Sequence, residues 1–321
     1  MLNTAMKIEQ NNIHVSVLKS EIGQYLRPFG GGLYIDATLG FGGHTLEILE
    51  RAGYKAKLIC FEVDTDAIAI TSELLSSYSE NVTIVNRNFS ELKSVLDQSG
   101  IEKVDGIVAD LGLSSYQLEQ SGRGFSFQKD EVLDMRADMD SDLTAFDIIN
   151  EYSAQDLAEI FWEYGEERFS RQIAKAIVRK REEGEISTTL QLCDIIEKTI
   201  PQRFKPKKIN CSTKVFQALR VCVNNELDNL SLFIETAIER LKVGARIAII
   251  SFNSLEDKIV KRAFAKYTSP CTCPSDLPVC SCGNKPAIKL INKRAISPGE
   301  AEIRSNPRSR SARLRVAEKI L

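Results

Sequence analysis

Residues 36–44 read Asp-Ala-Thr-Leu-Gly-Phe-Gly-Gly-His. Glycines of this density let a backbone pass close to a ligand and offer it N–H groups. Alone, the G-x-G is equally well explained by a tight turn. Glu62 adds to it, falling 20 residues after Gly42 at the end of the next apolar run. A carboxylate there can accept hydrogen bonds from both hydroxyls of an adenosine ribose. NAD and S-adenosylmethionine (SAM) both meet that description. Asp36 separates them, because a carboxylate in D-x-x-x-G-x-G suits a cationic amino group and repels a pyrophosphate. Asp36, Gly40, Gly42 and Glu62 are therefore candidate cofactor contacts. The other signal is Asp110, which opens Asp-Leu-Gly-Leu-Ser-Ser-Tyr-Gln directly after a further apolar run. Its competing reading is a helix N-cap.

These residues need elements that bring them together. Short, nearly continuous apolar runs at 33–38, 56–63, 82–87 and 104–110 alternate with helical spacing at 43–51, 64–75 and 90–98. That pattern predicts an α/β fold, a mostly parallel sheet covered on both faces. In such sheets ligands sit beyond the carboxyl ends of the strands. From Gly112 to Pro206 no strand is evident. Helical periodicity covers 142–150, 154–164, 166–181 and 188–200. A strand signal returns at 245–252, followed by a helix at 254–267 and apolar runs at 287–292 and 312–317. The predicted organisation is a core over 1–111, a helical insertion over 112–212 and the rest of the core over 213–321.

Composition narrows the chemistry. The 321 residues carry 42 Lys plus Arg against 44 Asp plus Glu, so nucleic acid can be bound only through local basic patches. No apolar run is long enough for a membrane span, and the N-terminus does not read as a signal peptide. A cytoplasmic protein is expected, its eight Cys acting as thiols or metal ligands. With only His14 and His44, chemistry that requires several histidines has few places.

The segments HVSVL, DATLGFGGH, DGIVADLGLSSYQL, RGFSF, LDMR, YGEERFSRQIAKAIV, VFQALRV, ISFNSLED and NPRSRSARLRV occur in this order between His14 and Val316. The chain thereby resembles the bacterial small-subunit (16S) rRNA cytosine-N4 methyltransferase family. The resemblance implies a class I, Rossmann-like methyltransferase fold with an inserted helical domain, and SAM as methyl donor. It implies the N4 amine of a cytosine in the decoding region of 16S rRNA as acceptor, and the small ribosomal subunit as partner, with no role for DNA or a membrane. Its SAM-contacting positions correspond here to Gly42, Gly43, His44, Glu62, Phe89, Asp110 and Gln117. Glu62 stands where many members have Asp. Asn210 and Asn253 stand where members often have His, and Tyr116 where Pro is usual.

Methyl transfer to an amine delocalised into a pyrimidine ring needs in-line alignment and an acceptor for the amine more than a strong base. Asp110 is the candidate for both SAM contact and amine orientation. Asn253 has two readings, a hydrogen bond to a cytosine edge or a place in a helix start capped by Ser251 or Ser254, with Glu256 and Asp257 favouring the helix dipole. The base must be unpaired or flipped out. Lys198–Lys214 carries net charge +6 and Ala301–Leu321 net +4, and Arg171, Lys175 and Arg179 repeat along one helix face. These are expected phosphate contacts or solvated faces, the insertion forming one wall of an RNA cleft. The acidic stretch 130–142 has six acids against Arg136. It reads as ion pairs, helix caps or a Mg²⁺ site. Cys271, Cys273, Cys280 and Cys282 read as a zinc site or as metal-free loop cysteines, and no metal ligand is assigned. Two other functions compete: an NAD-linked oxidoreductase, and a SAM-binding ribosome-assembly factor without turnover.

Overall fold

The computed structural model describes residues 16–206, 210–270, 273 and 282–321. Chain contacts divide it into two compact units, one comprising 1–112 with 227–321, the other 113–226.

The first unit begins with α1 (Lys19–Leu26), then β1 (Leu33–Asp36), α2 (Gly43–Arg51), β2 (Lys57–Glu62), α3 (Thr65–Leu74), β3 (Val82–Asn86), α4 (Leu92–Gln98) and β4 (Val104–Asp110). The second unit holds α5 (Ser115–Glu119), α6 (Ala145–Glu151), α7 (Ala154–Glu163), α8 (Ser170–Arg181), α9 (Thr189–Thr199) and α10 (Thr213–Val223). The chain returns through α11 (Glu226–Arg240) to β5 (Leu241–Ser251), α12 (Ser254–Thr268), β6 (Ile288–Leu290), α13 (Glu300–Ser305) and β7 (Arg313–Lys319).

The sheet order is β3-β2-β1-β4-β5-β7-β6. The first five strands are parallel, and β7 runs antiparallel to both β5 and β6. This is the expected class I methyltransferase sheet. Strand residues alternate between two apolar layers. Ile35, Phe61, Ile107 and Ile249 pack with α4, α11 and α12, while Tyr34, Cys60, Val108 and Ile250 pack with α1 and α2. Burial on both faces is why the strands read as nearly continuous apolar runs.

The helical unit has its own core, formed by residues such as Ile148, Phe161, Ile177, Leu192 and Phe216. α6, α7 and α9 start at side-chain caps: Thr144 with Asp147, Ser153, and Thr188 with Gln191. The unit ends at Glu226 rather than at residue 212. The reason is α10, whose Val215, Phe216 and Leu219 are at most 4% exposed within the helical core. Burying those three side chains contributes about 5–9 kcal/mol, which attaches the helix to that unit.

Candidate active site

Because β1, β2 and β4 are parallel neighbours, their carboxyl ends share one rim of the sheet. Alternation along the strands puts Asp36, Glu62 and Asp110 on the face covered by α2, since each lies two residues beyond Tyr34, Cys60 or Val108. Depth then distinguishes them. In the register Asp36 pairs with Cys60 and Val108, so it lies one side-chain repeat below Glu62 and Asp110, about 7 Å.

That depth corrects the expected role of Asp36. It is fully buried, and both its oxygens are taken: Thr45 Oγ1 donates to Oδ2 at 2.7 Å and the Thr38 N–H to Oδ1 at 3.2 Å. Burial raises its pKa, opposed by the His44 charge and by the Thr45 and Thr38 hydrogen bonds. Asp36 braces the loop from beneath and has no surface on which to meet a ligand's amino group.

The loop after β1 is tied to both neighbouring strands. The Ala37 N–H donates to the Val108 carbonyl and the Leu39 N–H to that of Phe61. Thr38 Oγ1 accepts the Asp110 N–H at 2.7 Å, and the Gly40 N–H donates to Glu62 Oε2 at 3.0 Å. The Thr71 hydroxyl donates to the Gly40 carbonyl at 2.6 Å. Gly42 caps α2 with φ 74, in the left-handed region that favours glycine. A Cβ on Gly43 would stand 1.9 Å from Ser16 Oγ. Thr38, Thr45, Thr71 and Ser16 were not singled out from the sequence. Only the first had a local signal, the D-x-T turn in which Asp36 accepts the Thr38 N–H.

Glu62 accepts three backbone N–H groups, from Val63 and Asp64 on Oε1 and from Gly40 on Oε2. Burial still raises its pKa, the Asp64, Gly40 and Val63 N–H groups acting against it. Phe89 follows β3, half-buried and edge-on to Phe233 at 5.2 Å. Asn253 follows β5 and is itself the cap of α12: its Oδ1 accepts the N–H groups of Leu255 and Glu256, and Glu256 returns the bond to the Asn253 N–H. Neither Ser251 nor Ser254 is the cap. Asp257 holds Arg313 at 3.1 Å and Arg315 at 2.6 Å, fixing α12 to β7. Those two arginines are thereby engaged within the fold.

The reactive feature of the rim is a buried pair. His44 Nε2 lies 3.2 Å from Asp110 Oδ2, with side-chain exposures of 4% and 13%. Burial lowers the His44 pKa, but the Asp110 hydrogen bond and the charges of Asp110 and Asp36 outweigh it, and the net shift is upward. The contact thus favours the protonated form of a buried imidazole. His44 Nδ1 and Asp110 Oδ1 are also buried and have no hydrogen-bond partner among the described residues. Each such group costs about 1–3 kcal/mol, and two on one pair mark a place shaped for a polar ligand.

Gln117 lies in the helical unit, at the third position of α5, where its side chain accepts the Ser114 N–H in a capping box. The basic and acidic stretches resolve as follows. Arg171, Lys175 and Arg179 are all exposed along α8. Lys198 pairs with Asp194 on its own helix, Arg203 stacks over Phe204 at 4.8 Å, and the Lys214 ammonium donates to the Glu166 carbonyl. In the acidic stretch Asp134 binds Arg136, whose hydrogen bonds outweigh burial and lower the Asp134 pKa. Asp130 accepts an N–H from the first turn of α9 and Glu131 that of Gly124. Pairing and capping thus account for these three acids. Cys60, Cys193 and Cys211 are buried and Cys222 half-buried, as packing residues are. His14, Lys207, Lys208, Cys271 and Cys280 lie outside the described residues. Among the described residues no group of three or more His, Cys, Asp or Glu is placed to hold a metal, and no helix is long and apolar enough to cross a membrane.

The family model described as "MraW methylase family" matches residues 11–320. The ribosomal RNA small subunit methyltransferase H of Geotalea uraniireducens is 48% identical over 307 residues, covering 96% of this chain and 98% of that protein. The protein of the same name from Clostridium botulinum is 47% identical, covering 96% and 99%, and that from Citrifermentans bemidjiense 46%, covering 96% and 98%. With a match that spans nearly every residue of the sheet and the helical unit, the chain belongs to the MraW methylase family.

Proposed function

We propose that the chain transfers a methyl group from SAM to the N4 amine of a cytosine in the decoding region of 16S rRNA, presented by the small ribosomal subunit in the cytoplasm. One observation carries this most directly, the buried His44–Asp110 pair with two unpartnered atoms at the rim where the glycine loop and Glu62 meet. These residues fit SAM. A cationic ligand is attracted by Asp110, Glu62 offers acceptor capacity to ribose hydroxyls, Phe89 offers an aromatic edge to adenine, and the α2 N-terminus beside the His44 imidazole suits a carboxylate. Gly40, Gly42 and Gly43 keep the approach open.

SAM supplies a methyl group on a sulfonium cation. The protein's part is to place the amine. Asp110 Oδ1 accepts an N–H of the cytosine amine, which orients the nitrogen and increases its electron density, while Oδ2 stays anchored by His44. Asn253 Oδ1 is occupied by its capping bonds, so its amide nitrogen is the group left to donate to an acceptor on the base edge. The amine loses its proton only after methylation has made it acidic, so no strong base is needed. The helical unit, residues 113–226, recognises the RNA backbone with the exposed cations of α8.

The test is methyl incorporation from labelled SAM into small subunits lacking this modification. Asp110→Ala abolishes incorporation and keeps the fold. Near-wild-type turnover by that variant refutes the assignment.

A further inference from the structure

The helical unit contains a cavity of about 190 Å³. Ligand pockets for drug-sized molecules run to roughly 300–1,000 Å³, so this one suits a single planar base. Its lining includes Glu167, Arg168, Phe169, Phe204, Asn210 and Lys214, a combination of chemistry that the transfer reaction does not use.

The wall is built around a constrained turn. A Cβ at Gly165 would stand 2.5 Å from the Lys214 carbonyl oxygen, and Glu166 follows with φ 49, in the left-handed region. The Lys214 ammonium holds the Glu166 carbonyl at 2.7 Å. This turn delivers Glu167, a carboxylate only 6% exposed, to the cavity. Among the described residues only the Phe169 N–H is hydrogen-bonded to it, at 2.9 Å on Oε1. The carboxylate thus keeps acceptor capacity. Phe204, 53% exposed, packs against Phe169 with ring centroids 5.4 Å apart and carries the Arg203 guanidinium above it. Arg168 and Arg203 are exposed beside them. Asn210, where the resembled family often has His, contributes a carboxamide whose oxygen is held by the Ser212 N–H.

We propose that this cavity is a second nucleotide site, one that takes an unpaired RNA base bearing an exocyclic amine, distinct from the cytosine that is methylated. The base stacks on Phe204 and its amine donates to Glu167. Arg168, Arg203 and Lys214 neutralise the flanking phosphates. Aromatic stacking plus cations is the general means of holding single-stranded RNA, and a carboxylate acceptor selects an amino-bearing base over uracil's carbonyl. The proposal rests on the chain acting on RNA.

The experiment titrates the full-length protein with a short single-stranded RNA that carries cytidine, adenosine, uridine or an abasic residue at one internal position. Binding is followed by fluorescence of Trp162, the only tryptophan of the chain, whose carbonyl accepts the Glu166 N–H. SAM binding is measured in parallel by calorimetry. Cytidine and adenosine RNAs bind more tightly than the uridine and abasic ones. Phe204→Ala weakens binding roughly 5- to 150-fold, the range seen when one stacking aromatic is removed. Glu167→Gln erases the preference for cytidine over uridine, because an amide donates as well as accepts. Both variants bind SAM as the wild type does. If both keep wild-type RNA affinity and base preference while SAM still binds, the second site is wrong and the methyltransferase reading stands. Equal weakening for all four RNAs, abasic included, also overturns base recognition. A wild-type protein that binds no SAM overturns the methyltransferase reading, and the RNA titrations then judge the cavity alone.

Discussion

Asp110→Asn tests the electrostatics of the rim without changing its shape. At the 3.2 Å separation of Asp110 and His44, Coulomb attraction is about 5 kcal/mol at an effective dielectric of 20. Desolvating two buried ions takes back several kcal/mol, which leaves the roughly 1.5–3 kcal/mol of a hydrogen bond to a charged group. The sign follows from the direction of the His44 shift. A histidine whose folded pKa is raised adds stability that is fully present below its unfolded value of 6.5 and is lost as pH rises through the folded value. Without the Asp110 charge, burial dominates and His44 titrates below 6.5. The wild type is therefore more stable than Asp110→Asn by about 1.5–3 kcal/mol near pH 5.5, and the gap narrows toward pH 8.5. Only two histidines are present, His14 and His44, so a His14→Gln background leaves one imidazole signal to follow by ¹H–¹⁵N spectroscopy, alongside urea melts at the two pH values. A His44 signal in the variant that titrates at or above the wild-type position would refute the reasoning.

Three other perturbations probe the remaining parts. Gly43→Ala drives a methyl group into Ser16 Oγ. Overpacking of about 1–3 kcal/mol weakens SAM binding about 5- to 150-fold in calorimetry, and Ser16→Gly in the same chain restores most of it. Asp257→Asn frees Arg313 and Arg315 and costs about 3–5 kcal/mol in denaturant melts. Although burial acts to raise it, the Arg315 and Arg313 contacts lower the Asp257 pKa, so in the wild type this stability is present above 3.8 and is lost as pH falls through the depressed value, a loss the variant does not show. Replacing exposed Arg171, Lys175 and Arg179 with Gln reduces the salt slope of RNA binding by up to about two, uniformly across RNA sequences. An unchanged slope removes α8 from the RNA surface.

What the sequence revealed follows from which forces are local. A parallel sheet buried on both faces must be written in short apolar runs, so β1 to β4 and the carboxylates at their ends were readable. α1 and α10 were not, because the first has only eight residues and the second begins where the basic stretch 198–214 ends, so that its apolar spacing starts beside a run that reads by its charge. Asp36 was placed correctly along the chain and wrongly in depth. Spacing gives the face on which a side chain lies, whereas depth depends on register, and register is fixed by pairing between strands distant in sequence. Asp36 opposes Cys60 and Val108, one repeat short of the rim, so the same carboxylate that looks like a ligand contact becomes the group that Thr45 and Thr38 hold in place. The capping role of Asn253 was missed for the opposite reason. Its cap is local, but Ser251 and Ser254 compete as capping residues, and only the reciprocal bonds with Glu256 decide among them. The Glu167 cavity joins both cases: the Gly165 turn is local, but its meaning depends on Lys214, 49 residues away in the chain. Sites of this kind become visible only when two remote segments close on each other, and for that reason the cavity carries the sharper test of how the RNA is read.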